Sequence, residues 1–183
     1  MTLSRFAVAI VFALAASCQP RYPRIETLLI TADTLPAGWY VLDGPSPPPS
    51  APFGGIRSKE RTEVFFDSTT AGAFEYIQRF GSREEAFPEY LDEKALVFRE
   101  VKVDGPYEVP AELPYRSSIA EQYYFACVRP SYYPYPYLRC DYVAQYGPYV
   151  VTFQIDWRPN LMNATGLEKI LRTVDAKMAP YAK

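Results

Sequence analysis

Three cysteines, at 18, 127 and 140, sixteen tyrosines and no histidine bound the chemistry open to this 183-residue chain. Without histidine the commonest general base and metal ligand is missing, which argues against zinc, haem and Ser-His-Asp chemistry; no cofactor or metal is expected. Carboxylates remain. Asp67, Glu121, Asp141 and Asp156 are the candidates for acid–base hydrolysis, which needs two such groups facing one another across a substrate. Their spacing converges on no common pocket, and Asp141 and Asp156 fall on polar strand positions where solvated charge is expected. No catalytic residue is assigned, and a carboxylate-dependent hydrolase is the least supported of the readings. Residues 129–137 stand out for a different chemistry. Tyr132, Tyr133, Tyr135 and Tyr137 on a proline-stiffened loop offer flat, amphipathic contact area at low entropic cost, suited to a protein or glycan surface. The alternative is that these rings pack on the sheet edge or on each other.

The loop springs from the part of the chain whose pattern is clearest. In residues 149–157, Tyr149, Val151, Phe153, Ile155 and Trp157 alternate with Val150, Thr152, Gln154 and Asp156, the period of a half-buried strand. Residues 138–146 place Leu138, Cys140, Tyr142, Ala144 and Tyr146 on one parity, with Val143 an exception on the polar side. A hairpin turn at Gly147 and Pro148 pairs Tyr146 with Tyr149, Ala144 with Val151, Tyr142 with Phe153, Cys140 with Ile155 and Leu138 with Trp157. Every pair is apolar, and a slip of one residue would destroy all five. On the other face Arg139 meets Asp156 as a cross-strand ion pair. In residues 118–129, Ile119, Tyr123, Phe125 and Cys127 share a parity, so a Cys127–Cys140 disulfide would bring Phe125 into a row with Tyr142 and Phe153 and close the tyrosine loop at its base.

Around this meander the pattern predicts an α+β fold: an antiparallel sheet of about five to six strands with a mid-chain helix and a C-terminal helix packed on it. Residues 62–67 and 73–80 form a second hairpin. Ser82 with Glu85 is a capping box, followed by Phe87, Tyr90, Leu91, Ala95 and Phe98 at helical spacing; Pro88 means a kink there or a start near it. Residues 101–116 connect to the meander. Thr165 with Glu168 is another capping box, and Leu167, Ile170, Leu171, Val174 and Met178 form one stripe expected to cover the aromatic face of the meander and bury the disulfide. Residues 43–58, rich in proline and glycine, read as an extended loop. The net charge of −2 and the absence of a long basic run argue against nucleic acid as partner.

At the N-terminus, Arg5 precedes an apolar run over residues 6–16, the pattern of a secretory signal too short to span as a permanent helix. Leu14, Ala15, Ala16, Ser17 and Cys18 resemble the lipobox of bacterial lipoproteins, in which the processed cysteine carries lipid such as palmitate. Ala15 stands where leucine is commonest. Cysteine parity agrees, because a lipidated Cys18 leaves an even pair for an oxidising compartment. The expected organisation is a signal peptide over residues 1–17, a lipidated tether over 18–24 and one domain over 25–183. Gln19 lacks the retention aspartate of that family, which implies the outer membrane or cell surface of a diderm, or the outer leaflet of a monoderm's membrane.

Further on, Asp33, Leu35, Pro36, Gly38 and Trp39 resemble the Asp-Leu-Pro-x-Gly-Trp signature of a group of bacterial extracytoplasmic lipoproteins, with Thr34 inserted. The resemblance implies an extracytoplasmic address and brings no catalytic residue. Locally Pro36 and Gly38 mark a turn, and Trp39 enters the core as a strand begins. The chain is thus expected to be a membrane-anchored binding or envelope-assembly module, with a sensor or carrier of a small apolar ligand, held between sheet and C-terminal helix, as the alternative.

Overall fold

At Gly147 the backbone takes φ 56°, and a Cβ there would collide with the Tyr181 carbonyl oxygen. Glycine is therefore required where the chain reverses. The computed structural model describes residues 22–46, 58–68, 71–99, 105–130 and 137–182. The strand before the turn is Leu138–Tyr146 (β5) and the one after it Tyr149–Trp157 (β6). Their register is the one that the hydrophobic parity demands, from Tyr146 opposite Tyr149 to Leu138 opposite Trp157. Gln122–Val128 (β4) joins with Phe125 opposite Tyr142 and Cys127 opposite Cys140.

The remaining strands are Tyr40–Ser46 (β1), Glu60–Asp67 (β2) and Gly72–Arg79 (β3), the last two forming the second hairpin. All six lie in one antiparallel sheet in the order β1-β2-β3-β6-β5-β4. The fold is α+β. Helix Arg83–Val97 (α1) is capped by the Ser82 side chain, which accepts the Glu85 N–H at 3.2 Å. It runs through Pro88 rather than starting there. Helix Ala164–Met178 (α2) is capped two residues earlier than Thr165, by Asn163, whose side chain accepts the Gly166 N–H at 2.9 Å. No helix among the described residues is long and apolar enough to cross a membrane.

The α2 stripe covers the aromatic face of the meander. Leu167, Ile170, Leu171, Val174 and Met178 are buried against Phe153, Ile155, Trp157 and both cysteines. Burying an aliphatic or aromatic side chain is worth about 1.5–3 kcal/mol, so this layer dominates the fold's stability. Residues 25–30 finish the same face, with Ile25, Leu28, Leu29 and Ile30 buried. Trp39 is only partly buried; Leu35 is the fully buried residue of its turn, in which Trp39 donates to the Pro36 carbonyl at 3.3 Å.

The opposite face departs from expectation. It is not a solvated polar face: α1 lies on it, and Val143, Val150, Thr152, Asp141 and Gln145 are each at most 1% exposed. The reason lies in the exceptions to the alternation. Val143 and Val150 gather Phe80, Ala86 and Tyr90 into a second small core. That docking uses Ala86, Tyr90 and Glu93, so Phe87 and Leu91 are left 42% and 45% exposed. Residues 105–118 also do more than connect. They bridge to the β4 edge through Glu108 and Cys127, each donating to the other's carbonyl at 2.8 Å. They then pass to the α2 face, covering an edge that would otherwise offer free backbone groups.

Candidate functional site

The tyrosine loop is rooted between β4 and β5. Cys127 and Cys140, opposite one another in register, have their sulfurs 2.08 Å apart and close its base. Cys18, Tyr132, Tyr133 and Tyr135 lie outside the described residues. Tyr137, expected with them on the contact surface, is 6% exposed and packs at the root of the loop with the Arg158 guanidinium 5.7 Å from its ring centre.

Asp141 and Asp156 lie on adjacent strands close enough to repel one another, and each of the four candidate carboxylates has a local task. Asp67 accepts the Ser68 N–H at 2.8 Å and the Tyr40 hydroxyl at 3.2 Å. Glu121 accepts the Gly147 N–H at 2.9 Å and pairs with Arg83 at 2.9 Å, pinning the meander turn. Asp156 accepts the Gly72 N–H at 3.4 Å. Asp141 is buried, contrary to the solvated position expected for it. It accepts the Tyr107 hydroxyl at 2.8 Å and meets Arg139 at 3.3 Å, along its own strand. Arg139, which the register sets opposite Asp156, also donates to the Tyr107 hydroxyl at 2.6 Å. Burial pushes the Asp141 carboxyl up to about 6, and Arg139 and Tyr107 only partly oppose it. Burial and the neighbouring Asp141 likewise raise the Tyr107 hydroxyl. This trio ties residues 105–118 to the sheet.

Above the trio lies a groove of 530 Å³ lined by Leu91, Lys94, Ala95, Phe98, Pro106, Tyr107 and Tyr124. Phe98 makes edge-to-face contacts with Tyr107 and Tyr124, with ring centres 5.0 and 4.6 Å apart. The Lys94 ammonium stands 4.8 Å from the Tyr124 ring centre. A second groove, of 460 Å³, shares Pro106 and runs past Val109 and Arg129 to Leu138 at the root of the tyrosine loop. The first lining contains no carboxylate, and the two of the second, Glu108 and Glu112, belong to one connecting segment. Lined by aromatic rings and prolines, this surface is suited to binding flat or apolar groups.

One further cluster escaped the sequence reading. Asp175 lies within the apolar stripe of α2 and is 4% exposed. Its carboxylate is reached by Tyr146 at 2.6 Å, Tyr115 at 2.7 Å, Ser117 at 2.8 and 2.9 Å and Tyr142 at 3.1 Å. Tyr142 and Tyr146 are also 2.8 Å apart. Two hydroxyl protons cannot make three bonds. The shorter contacts therefore define a relay in which Tyr142 donates to Tyr146 and Tyr146 to Asp175. Burial and the Asp175 charge raise both tyrosine hydroxyls, keeping them as donors. The signal was present: an aspartate four residues after Leu171 on a core-facing stripe must meet polar partners, and inward tyrosines at 142 and 146 supply them. The groove carried a weaker signal, since Phe98, Tyr107 and Tyr124 come from three separate segments.

Among the described residues no group of three or more acidic or thiol side chains is disposed to hold a metal ion. No protein-family model, curated protein or solved structure matches the chain.

Proposed function

We propose that this chain is a membrane-anchored extracytoplasmic binding module, tethered by lipid on Cys18, that engages a protein or glycan surface through the tyrosine loop and the grooves at its root. The observation that carries this reading is the open aromatic and proline-lined surface running from Leu91 through Phe98, Tyr107 and Pro106 to Arg129 and Leu138. It adjoins a loop whose base the Cys127–Cys140 bridge holds in place. A carrier with an apolar guest between sheet and C-terminal helix would need space where Leu167, Leu171, Val174 and Met178 already fill the interior, each at 0% exposure. That filling favours the binding module. The likeness of residues 33–39 to extracytoplasmic lipoproteins supports the same address. No reaction is assigned, because Asp67, Glu121, Asp141 and Asp156 are each engaged by a structural partner and none lines either groove.

Cross-linked capture from solubilised membranes of the source cell tests the reading. The wild-type chain is compared with a Y132A/Y133A/Y135A variant and with F98A/Y124A. Loss of the same captured species in both variants is the expected result; retention in both overturns the assignment of this surface. Labelled palmitate, incorporated into the wild type and absent from C18S, reports the anchor separately.

A further inference from the structure

Glu75 lies in the middle of β3, opposite Val64 of β2 and Phe153 of β6, on the face covered by α2 and residues 25–30. It is 0% exposed. Its Oε2 accepts the Ile30 N–H at 2.6 Å, while its Oε1 has no hydrogen-bond partner among the described residues. An ionised carboxylate buried among apolar side chains needs several donors; with a single peptide N–H in contact, the protonated acid fits the site better. Burial accordingly pushes this carboxyl up to about 8, against the opposing influence of the Ile30 N–H and Lys177.

Among the described residues, two side chains tie residues 25–30 to the body of the fold. Glu75 holds the Ile30 N–H, and the Lys177 ammonium of α2 donates to the carbonyls of Leu29 at 2.5 Å and Thr27 at 3.4 Å. The charged groups around Glu75 are few. From α2 it feels Lys177. On the N-terminal segment Arg24 and Glu26 pair with each other at 3.6 Å on the surface. Further along β3, Arg79 is taken by Glu60 of β2 at 2.7 Å. The cross-strand neighbours Val64 and Phe153 are apolar.

We propose that residues 25–30 form a proton-latched strap: protonated Glu75 keeps the strap seated on the sheet, and loss of that proton shifts it towards an undocked state in which the carboxylate is hydrated. The sign follows from linkage. The docked state binds the proton more tightly than the open one, so the opening constant rises with pH, by about tenfold per unit between roughly pH 5 and 8, and then levels off. The consequence for reach rests on the reading that Cys18 carries lipid. Undocking adds six residues to the tether, about 20 Å at full extension. Mildly acidic surroundings would hold the domain close to the bilayer, and alkaline ones would let it extend.

Amide hydrogen exchange on the full chain in non-ionic detergent, at pH 5.5, 6.5 and 7.5, tests the latch. After correction for the intrinsic pH dependence of exchange, protection of the amides of residues 25–30 is expected to fall about tenfold per unit, while amides in the centre of β5 and β6 stay protected. E75Q, which mimics the protonated acid, is expected to remove that slope. A pH-independent wild type, or an equal slope in E75Q, overturns the proposal. Should E75Q fail to fold, the Glu75 carboxyl ¹³C shift of the wild type decides: a midpoint in the ordinary carboxylate range overturns the latch, and one near pH 8 supports it. Neither readout depends on the lipid, so a failure of Cys18 labelling removes the reach argument and leaves the latch intact.

Discussion

Replacing Asp175 by alanine removes the acceptor on which three buried or half-buried hydroxyls converge, with a fourth behind them. The cost follows from the geometry. Tyr142 and Tyr146 can still satisfy one proton between them across their 2.8 Å contact. Ser117 keeps its role as acceptor for the N–H groups of Ile119 and Ala120. The Tyr115 hydroxyl, one proton of the tyrosine pair and the proton of half-buried Ser117 lose their acceptor. A buried polar group so stranded costs about 1–3 kcal/mol, and the void left by the carboxylate adds to it. D175A is therefore expected to lose about 3–5 kcal/mol, and D175N, which still offers one carbonyl oxygen, about 1–2 kcal/mol. Y146F removes the middle of the relay, but Tyr142 already stands 3.1 Å from the same carboxylate oxygen and can turn to it, so about 1 kcal/mol is expected. Urea titrations followed by the fluorescence of buried Trp157 read these differences as midpoint shifts at constant slope; for a chain of this size D175A should melt about 10 °C lower. A D175A loss below about 1 kcal/mol would refute the cluster as a pin between α2 and the sheet. A Y146F loss equal to that of D175A would refute the relay.

Glu93 of α1 is 4% exposed and accepts the Thr152 hydroxyl at 2.9 Å; burial pushes it up to about 7. The folded state holds its proton more tightly than the unfolded chain, so stability falls as pH rises from about 4.5 to about 7. The loss reaches at most about 3 kcal/mol, and E93Q should remove that share of the fall in urea midpoint, leaving the shares of Asp141 and Glu75. The Cys127–Cys140 bridge closes a loop of twelve intervening residues. The C127S/C140S variant should lose about 2–4 kcal/mol, and an unchanged midpoint would mean that the bridge contributes nothing to the fold.

The sequence by itself determined the meander. Glycine at the turn and an alternation broken only at Val143 and Val150 favour one register, and Leu138 meets Trp157 at its far end as that register requires. It also determined the buried stripe of α2 and the pairing of Cys127 with Cys140, because strand and helix periodicities are properties of the backbone and show in any stretch long enough to repeat. It located the caps less well: Ser82 serves as expected, whereas Asn163 displaces Thr165. Tertiary structure decided what covers what. Parity placed Asp141 and Gln145 on the second face, but α1 made that face an interior, and docking through Ala86, Tyr90 and Glu93 left Phe87 and Leu91 outside. Glu75 reads as one polar residue in a strand until residues 25–30, some 45 positions away, fold across it. The groove has the same origin, since Lys94, Tyr107 and Tyr124 belong to three segments. A repeat along the chain records which side a residue faces, whereas its burial depends on which distant segment arrives there.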